Sequence, residues 1–150
     1  MRPGEASAVD APVSPVGFTE STHPVRDEPD LLATRHAVRS AAVAAGFDLV
    51  GQTMIVTAAS ELVRNAYIHG GGGTLTISAI GAAHGRRGLR LTVADSGPGI
   101  QDVEAALTDG FSTGAGLGHG LGGTRRLVDE FAIDTEAGRG TTVTVVRWVT

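Results

Sequence analysis

Glu61-Leu62-Val63-Arg64-Asn65, then Asp95-Ser96-Gly97-Pro98-Gly99, then the glycine-dense run from Gly114 to Gly123 follow one another along this chain, and their order and spacing decide how it is read. A Glu and an Asn four residues apart on a helix project from one face, while an Asp ahead of two glycines lies where backbone can approach a flat ligand closely. Together the three blocks describe a nucleotide site.

The flanking segments supply a scaffold. Asp27, Glu28 and Asp30 precede Leu31, Arg35, Val38, Ala42 and Ala45 at helical spacing, with acids where the helix dipole favours them and Gly46 as a stop. A second helix is predicted over about 52–67, with Ile55, Ala59, Leu62 and Ala66 on one face and the Gly70 to Gly73 run ending it. Glu61 and Asn65 fall on its last turns. Residues 74–80 and 88–95 alternate with period two around a turn, the pattern of a hairpin whose second strand ends at Asp95. A short helical segment near 103–107, the glycine-rich loop, a helix over about 121–131 and a last strand pair, 132–136 and 141–148, complete the chain. Residues 16–19 and 23–26 read as edge-strand pieces, because Pro24 is tolerated only at an edge. The segregation of helices from antiparallel pairs predicts an α+β two-layer sandwich, a mixed but mostly antiparallel sheet with helices packed on one face.

Composition narrows the function. One hundred and fifty residues with 41% hydrophobic content suit one compact domain over 15–150, with residues 1–14 read as a disordered tail that buries too little apolar surface to offset its ordering entropy. There is no cysteine, which excludes disulfides, thiolate metal sites and thiol nucleophiles. No apolar run approaches the roughly 20 residues of a membrane span, and the first residues lack a signal peptide's apolar core, so a cytoplasmic protein with no membrane association is expected. The net charge is −4 and the basic residues are scattered, which argues against nucleic acid as a partner. Every basic residue other than histidine is arginine, so a bound triphosphate cannot be held by the lysine of a P-loop. Backbone amides, arginine and a metal ion must hold it instead.

Each block has its own chemistry. Asp95 is an anionic acceptor for an adenine exocyclic amine, and Gly97 and Gly99 lack the β-carbons that would collide with the ring; alone, the same residues describe a tight turn capping a strand. Glu61 and Asn65 can share one site, the amide oxygen as a Mg ligand and the carboxylate as a general base; alone, they describe a solvated helix face. The Gly114 to Gly123 loop offers unhindered amides to an anion and can also act as a mobile lid. His23, His36, His69 and His84 read as surface or capping histidines, Arg64 and the Arg125-Arg126 pair as solvated arginines, and Trp148 as edge-strand packing.

Glu61-x-x-x-Asn65, Asp95-x-Gly97-x-Gly99, Gly116-x-Gly118-x-Gly120 and the closing Gly138-x-Gly140-Thr141 resemble the Bergerat ATP-binding fold of the GHKL superfamily over about 16–150. Within that superfamily the chain is similar to the stand-alone serine/threonine kinases of bacterial partner-switching pathways. Residues 109–118 and Arg125-Arg126-Leu127-x-Asp129-Glu130-Phe131 look like the stressosome switch-kinase type rather than the anti-sigma kinases. The resemblance implies ATP and Mg as cofactors. It also implies a STAS-domain antagonist as phosphoacceptor in a stress-response, sigma-factor-regulating pathway, and a PPM-type phosphatase as downstream target. By the same resemblance Glu61 accepts the substrate proton, Asn65 ligates Mg and Asp95 reads adenine with support from Gly97, Gly99 and Thr141. Gly116, Gly118 and Gly120, followed by Leu121, wrap the phosphates. His119 within the lid and Gly122 depart from the family pattern and bear on lid order and partner choice. An ATP-gated binding module without phosphoryl transfer and an anti-sigma factor that binds a sigma subunit directly are the alternatives.

Overall fold

The computed structural model describes residues 20–100, 107 and 120–150. Within them, strand β1 (Glu20–Val25) leads into helices α1 (Glu28–Ala45) and α2 (Leu49–Gly70), then strands β2 (Gly73–Gly81) and β3 (Arg87–Asp95). A short helix α3 (Gly120–Arg125) and strands β4 (Glu130–Glu136) and β5 (Gly140–Trp148) follow.

Local chemistry sets the helix ends. Asp27 caps α1 by accepting the Asp30 amide at 3.0 Å, Pro29 occupies the first turn, where no amide partner is lost, and Gly46 closes the helix at φ 101°. Asp48 caps α2 in the same way by accepting the Gly51 amide at 2.8 Å, and Gly71 ends it at φ 74°. The helix is therefore longer at both ends than the 52–67 expected. Its first turn carries Leu49 and Val50 exposed to solvent, so hydrophobic periodicity could not reveal it. Arg26 binds the Asp30 carboxylate at 2.9 Å through its side chain and at 2.8 Å through its backbone amide, and these hydrogen bonds, the side-chain one first, hold the Asp30 carboxyl below its ordinary range. Replacing Asp27 with alanine is expected to lower stability by about 1 kcal/mol, seen as a lower denaturant midpoint at unchanged slope.

The sheet has the order β1-β2-β3-β5-β4. Among the described residues all four strand pairings are antiparallel, in line with the mostly antiparallel sheet expected. Period-two alternation turns whole rows of side chains to one face: Leu75, Val93, Val143 and Ile133 lie in register, and beside them Ile77, Leu91, Val145 and Phe131. These rows pack against Val38, Ala42, Ile55, Ala59, Leu62, Val63 and Ala66 of α1 and α2 in one core, which makes the two-layer α+β sandwich. Small residues on the helices bring them close to the sheet.

The opposite face carries Thr22, Thr76, Thr92 and Thr144 in one transverse row. It also carries a small cluster of Ile80, Val146 and Trp148, with the Arg86 guanidinium 4.8 Å from the Trp148 ring centroid. Trp148 is therefore not edge packing, because β5 lies between β3 and β4.

The predicted helix over 121–131 is cut to the six residues of α3. Beyond it the Asp129 amide donates to the Val146 carbonyl at 2.8 Å and the Trp148 amide donates to the Asp129 carboxylate at 2.7 Å. That pairing draws the chain into β4, where Phe131 reaches the core from a strand. The edge-strand expectation at 23–26 is met by β1, and Leu107 is helical. The expected tail, the strand piece at 16–19 and most of the segment at 103–107 lie outside the described residues.

Candidate functional site

The site forms where the C-terminal end of α2 crosses the end of β3. Gly70, the last residue of α2, has no side chain, and a β-carbon there would fall on the Asp95 carboxyl group. Gly97 lies against the Gly70 backbone in turn, and its amide donates to Asp95 Oδ1 at 2.8 Å. One Asp95 oxygen is thus held by its own turn, and Oδ2 has no protein partner among the described residues. A half-buried carboxylate fixed by one oxygen and open at the other is a directed acceptor for an N–H group.

Gly99 adopts φ 79°, and a β-carbon there would collide with the Glu136 carbonyl. The Gly138 amide donates to the Pro98 carbonyl at 2.7 Å, which fastens this turn to the β4–β5 turn. Gly97 and Gly99 are therefore required by backbone meeting backbone inside the protein, a reason sequence alone could not supply. Thr141 stands opposite Asp95 in the β3–β5 register and is buried. Its hydroxyl is 2.9 Å from that of Thr135 on β4, and the Thr135 hydroxyl also accepts the Ile100 amide at 2.9 Å. In the sequence Gly70 reads only as the start of the run that ends a helix, and Thr135 and Ile100 do not stand out there. The only signal for Thr135 was strand alternation, which places it on the same face as Phe131 and Ile133.

Glu61 and Asn65 lie further back on α2, half-buried, and neither has a hydrogen-bonding partner among the described residues. At 1.5 Å rise per residue, Asn65 is about 7 Å and Glu61 about 13 Å from Gly70 along the helix axis. Along the α2 axis Asp95 lies against Gly70, with Asn65 and then Glu61 further back, an order that forms a track suiting an elongated ligand with a hydrogen-bonding head and a charged tail. Arg64 is exposed one position before Asn65, and His69 lies exposed within the helix rather than after it.

Of the predicted phosphate-wrapping residues, Gly116 and Gly118 lie outside the described residues. Gly120 opens α3, and Leu121 is buried in the core. Among the described residues no cluster of three His, Asp or Glu side chains exists to cage a metal. The unpaired Asn65 amide instead fits Mg, which takes one or two protein oxygens and completes its shell with phosphate oxygens and water. A shallow concavity lined by Leu32, Arg35, His36 and Arg39 of α1 and Val56 of α2 shares no residue with this track.

The chain resembles known proteins over most of its length. The profile of the histidine kinase-like ATPase domain family matches residues 25–147. The serine/threonine-protein kinase RsbT of Bacillus subtilis is 42% identical over 125 residues, which are 83% of this chain and 93% of that protein. The anti-sigma F factor of Geobacillus stearothermophilus is 40% identical over 101 residues, 61% of this chain and 65% of that protein. The crystal structure of the RsbU and RsbW domains of a Mycobacterium tuberculosis protein superposes with a TM-score of 0.59 at 25% identity, covering 87% of this chain and 32% of that one.

Proposed function

The chain belongs to the histidine kinase-like ATPase family, among the RsbT-type serine/threonine-protein kinases, and we propose that it transfers the γ-phosphoryl group of ATP to a serine or threonine hydroxyl of a small STAS-domain protein and thereafter activates a PPM-type phosphatase. The observation that carries the reading is the Glu61 carboxylate: half-buried, without a hydrogen-bonding partner among the described residues, and on the same helix as Asn65, further from Asp95 along its axis.

In this reading Asp95 Oδ2 accepts the adenine amine, and its other oxygen, tied to the Gly97 amide, keeps it from turning away. Asn65 presents its amide oxygen to Mg, which when bound neutralises charge on the phosphates. Gly116, Gly118 and Gly120 contribute backbone amides along the same phosphates. Glu61 takes the proton of the incoming hydroxyl as that oxygen bonds to the γ-phosphorus, and the bond from phosphorus to the ADP oxygen breaks, so that ADP leaves with its electron pair. Among the described residues no arginine pairs with this carboxylate, which leaves its lone pairs available to that proton.

The closely matching kinase supports phosphoryl transfer, and the anti-sigma relatives support a setting in which proteins exchange partners. No helix among the described residues is long and apolar enough to cross a membrane. Incubating the protein with Mg-ATP and a STAS-domain protein encoded beside it, then reading intact mass, is expected to show one added phosphoryl group on the STAS protein. Retained ATP binding with no mass shift on any such partner would favour an ATP-gated binding module instead. Capture of a sigma subunit in preference to a phosphatase would favour an anti-sigma factor.

A further inference from the structure

We infer that Thr135 fixes the Thr141 hydroxyl as an acceptor-only group beside Asp95, so that the site selects a purine with an amine at C6 over one with an oxygen at C6. The inference rests on the nucleotide-site reading above and adds to it a residue that touches no ligand.

Thr135, Thr141 and Asp95 stand in one transverse row on the helix side of the sheet, since Thr135 pairs with Thr141 and Thr141 with Asp95. Directly opposed residues of an antiparallel pair hold their β-carbons about 4.5–5.5 Å apart, so neighbours in this row share one environment. A threonine hydroxyl has one proton to donate and two lone pairs.

The surroundings of the Thr135 hydroxyl use all three. It receives the Ile100 amide at 2.9 Å on one lone pair. It faces the Gly140 carbonyl at 3.1 Å, an atom that can only accept, so its proton goes there. What remains for the contact with the Thr141 hydroxyl at 2.9 Å is the second lone pair, and Thr141 must be the donor. With its proton committed, Thr141 has only lone pairs to present to anything beside it.

Asp95 Oδ2 is an acceptor as well, so the sheet-side wall of the site offers two acceptors and no hydroxyl proton. An adenine amine satisfies such a wall, directly or through a water. The carbonyl oxygen of hypoxanthine or guanine meets it with lone pair against lone pair, and sites built to hydrogen-bond one partner reject the analogue that lacks it far more strongly than apolar pockets do. Thr135 is a positioning residue in this arrangement.

The test compares ATP with ITP, in which a carbonyl oxygen replaces the amine at C6 and N1 carries a proton. Calorimetric binding of both to the wild-type chain, Thr135→Val, Thr135→Ser and Thr141→Val reads the ratio of the two dissociation constants, with Thr135→Ser separating loss of the hydroxyl from general loosening of the site. Wild type is expected to prefer ATP. Thr135→Val, which frees the Thr141 proton to meet the purine oxygen, is expected to lose that preference by on the order of tenfold. Thr135→Ser is expected to keep it, and Thr141→Val, which removes the acceptor while leaving the Ile100 and Gly140 contacts to Thr135, is expected to lose it likewise. An undiminished ATP-to-ITP ratio in either valine variant overturns the inference while leaving the nucleotide site standing. A wild-type chain that binds ATP and ITP equally overturns it together with the adenine role of Asp95.

Discussion

Replacing Glu61 with alanine is expected to slow phosphoryl transfer by about 10²–10⁴-fold while ATP binding stays within a few-fold of wild type, the usual scale for loss of a general base. The structure makes this a clean substitution. Glu61 is half-buried but engages no hydrogen-bonding partner among the described residues, so its removal orphans no buried group and leaves the helix cap contacts of α2 untouched. Alanine is also the best helix former, so α2 loses nothing in propensity. Single-turnover transfer to the acceptor, with nucleotide affinity and thermal midpoint measured on the same preparation, separates chemistry from folding. Transfer at an unchanged rate would remove Glu61 from the mechanism, and equal losses in transfer and nucleotide affinity would move it from proton acceptor to ligand-binding residue. Glu61→Gln, which keeps shape and loses basicity, is expected to fall with alanine.

Asp95→Asn is expected to weaken ATP binding by about 10- to 150-fold, the equivalent of roughly 1.5–3 kcal/mol for a charge-assisted hydrogen bond. The turn geometry sharpens the expectation. The Gly97 amide requires an acceptor at the position of Oδ1, so the asparagine oxygen takes that place and its amino group faces outward where Oδ2 stood. A donor then confronts the adenine amine, and ITP is expected to lose less than ATP. Gly70 leaves room for the side chain in either form, so folding is expected to survive. Near-wild-type ATP affinity in a folded Asp95→Asn protein would refute the adenine assignment.

Much of the site's content was legible because it depends on short spacing. Glu61 and Asn65 share a helix face by periodicity alone, and a run such as Asp95 to Gly99 has few uses other than a close turn. The strands were legible too, since Leu75, Ile77, Leu91, Val93, Val143 and Val145 alternate with small polar residues, and burial of one face demands that pattern. The misreadings have physical causes. Leu127 and Val128 continue an apparently helical pattern past Arg125, but the hydrogen bond from the Asp129 amide to the Val146 carbonyl pairs that stretch with β5, and strand pairing prevails over local propensity. Trp148 looked like edge packing because it lies near the chain end, whereas sheet order is set by which strands meet and not by their order in the chain.

The sequence by itself determined the α+β class, the helices α1 and α2 and the strands β2 to β5 within a few residues of their ends, and the family, because local hydrogen bonding, period and cap chemistry act over a handful of neighbouring residues. Only the tertiary structure decided that Gly70 clears the space for Asp95 and that Gly99 meets the Glu136 carbonyl. It also decided that the Thr135 hydroxyl joins Ile100, Gly140 and Thr141. Those contacts join residues up to 37 positions apart, as Gly99 and Glu136 are, and they arise from the sheet register and the crossing of α2 over β3, which the packing of the whole core selects and no local stretch encodes.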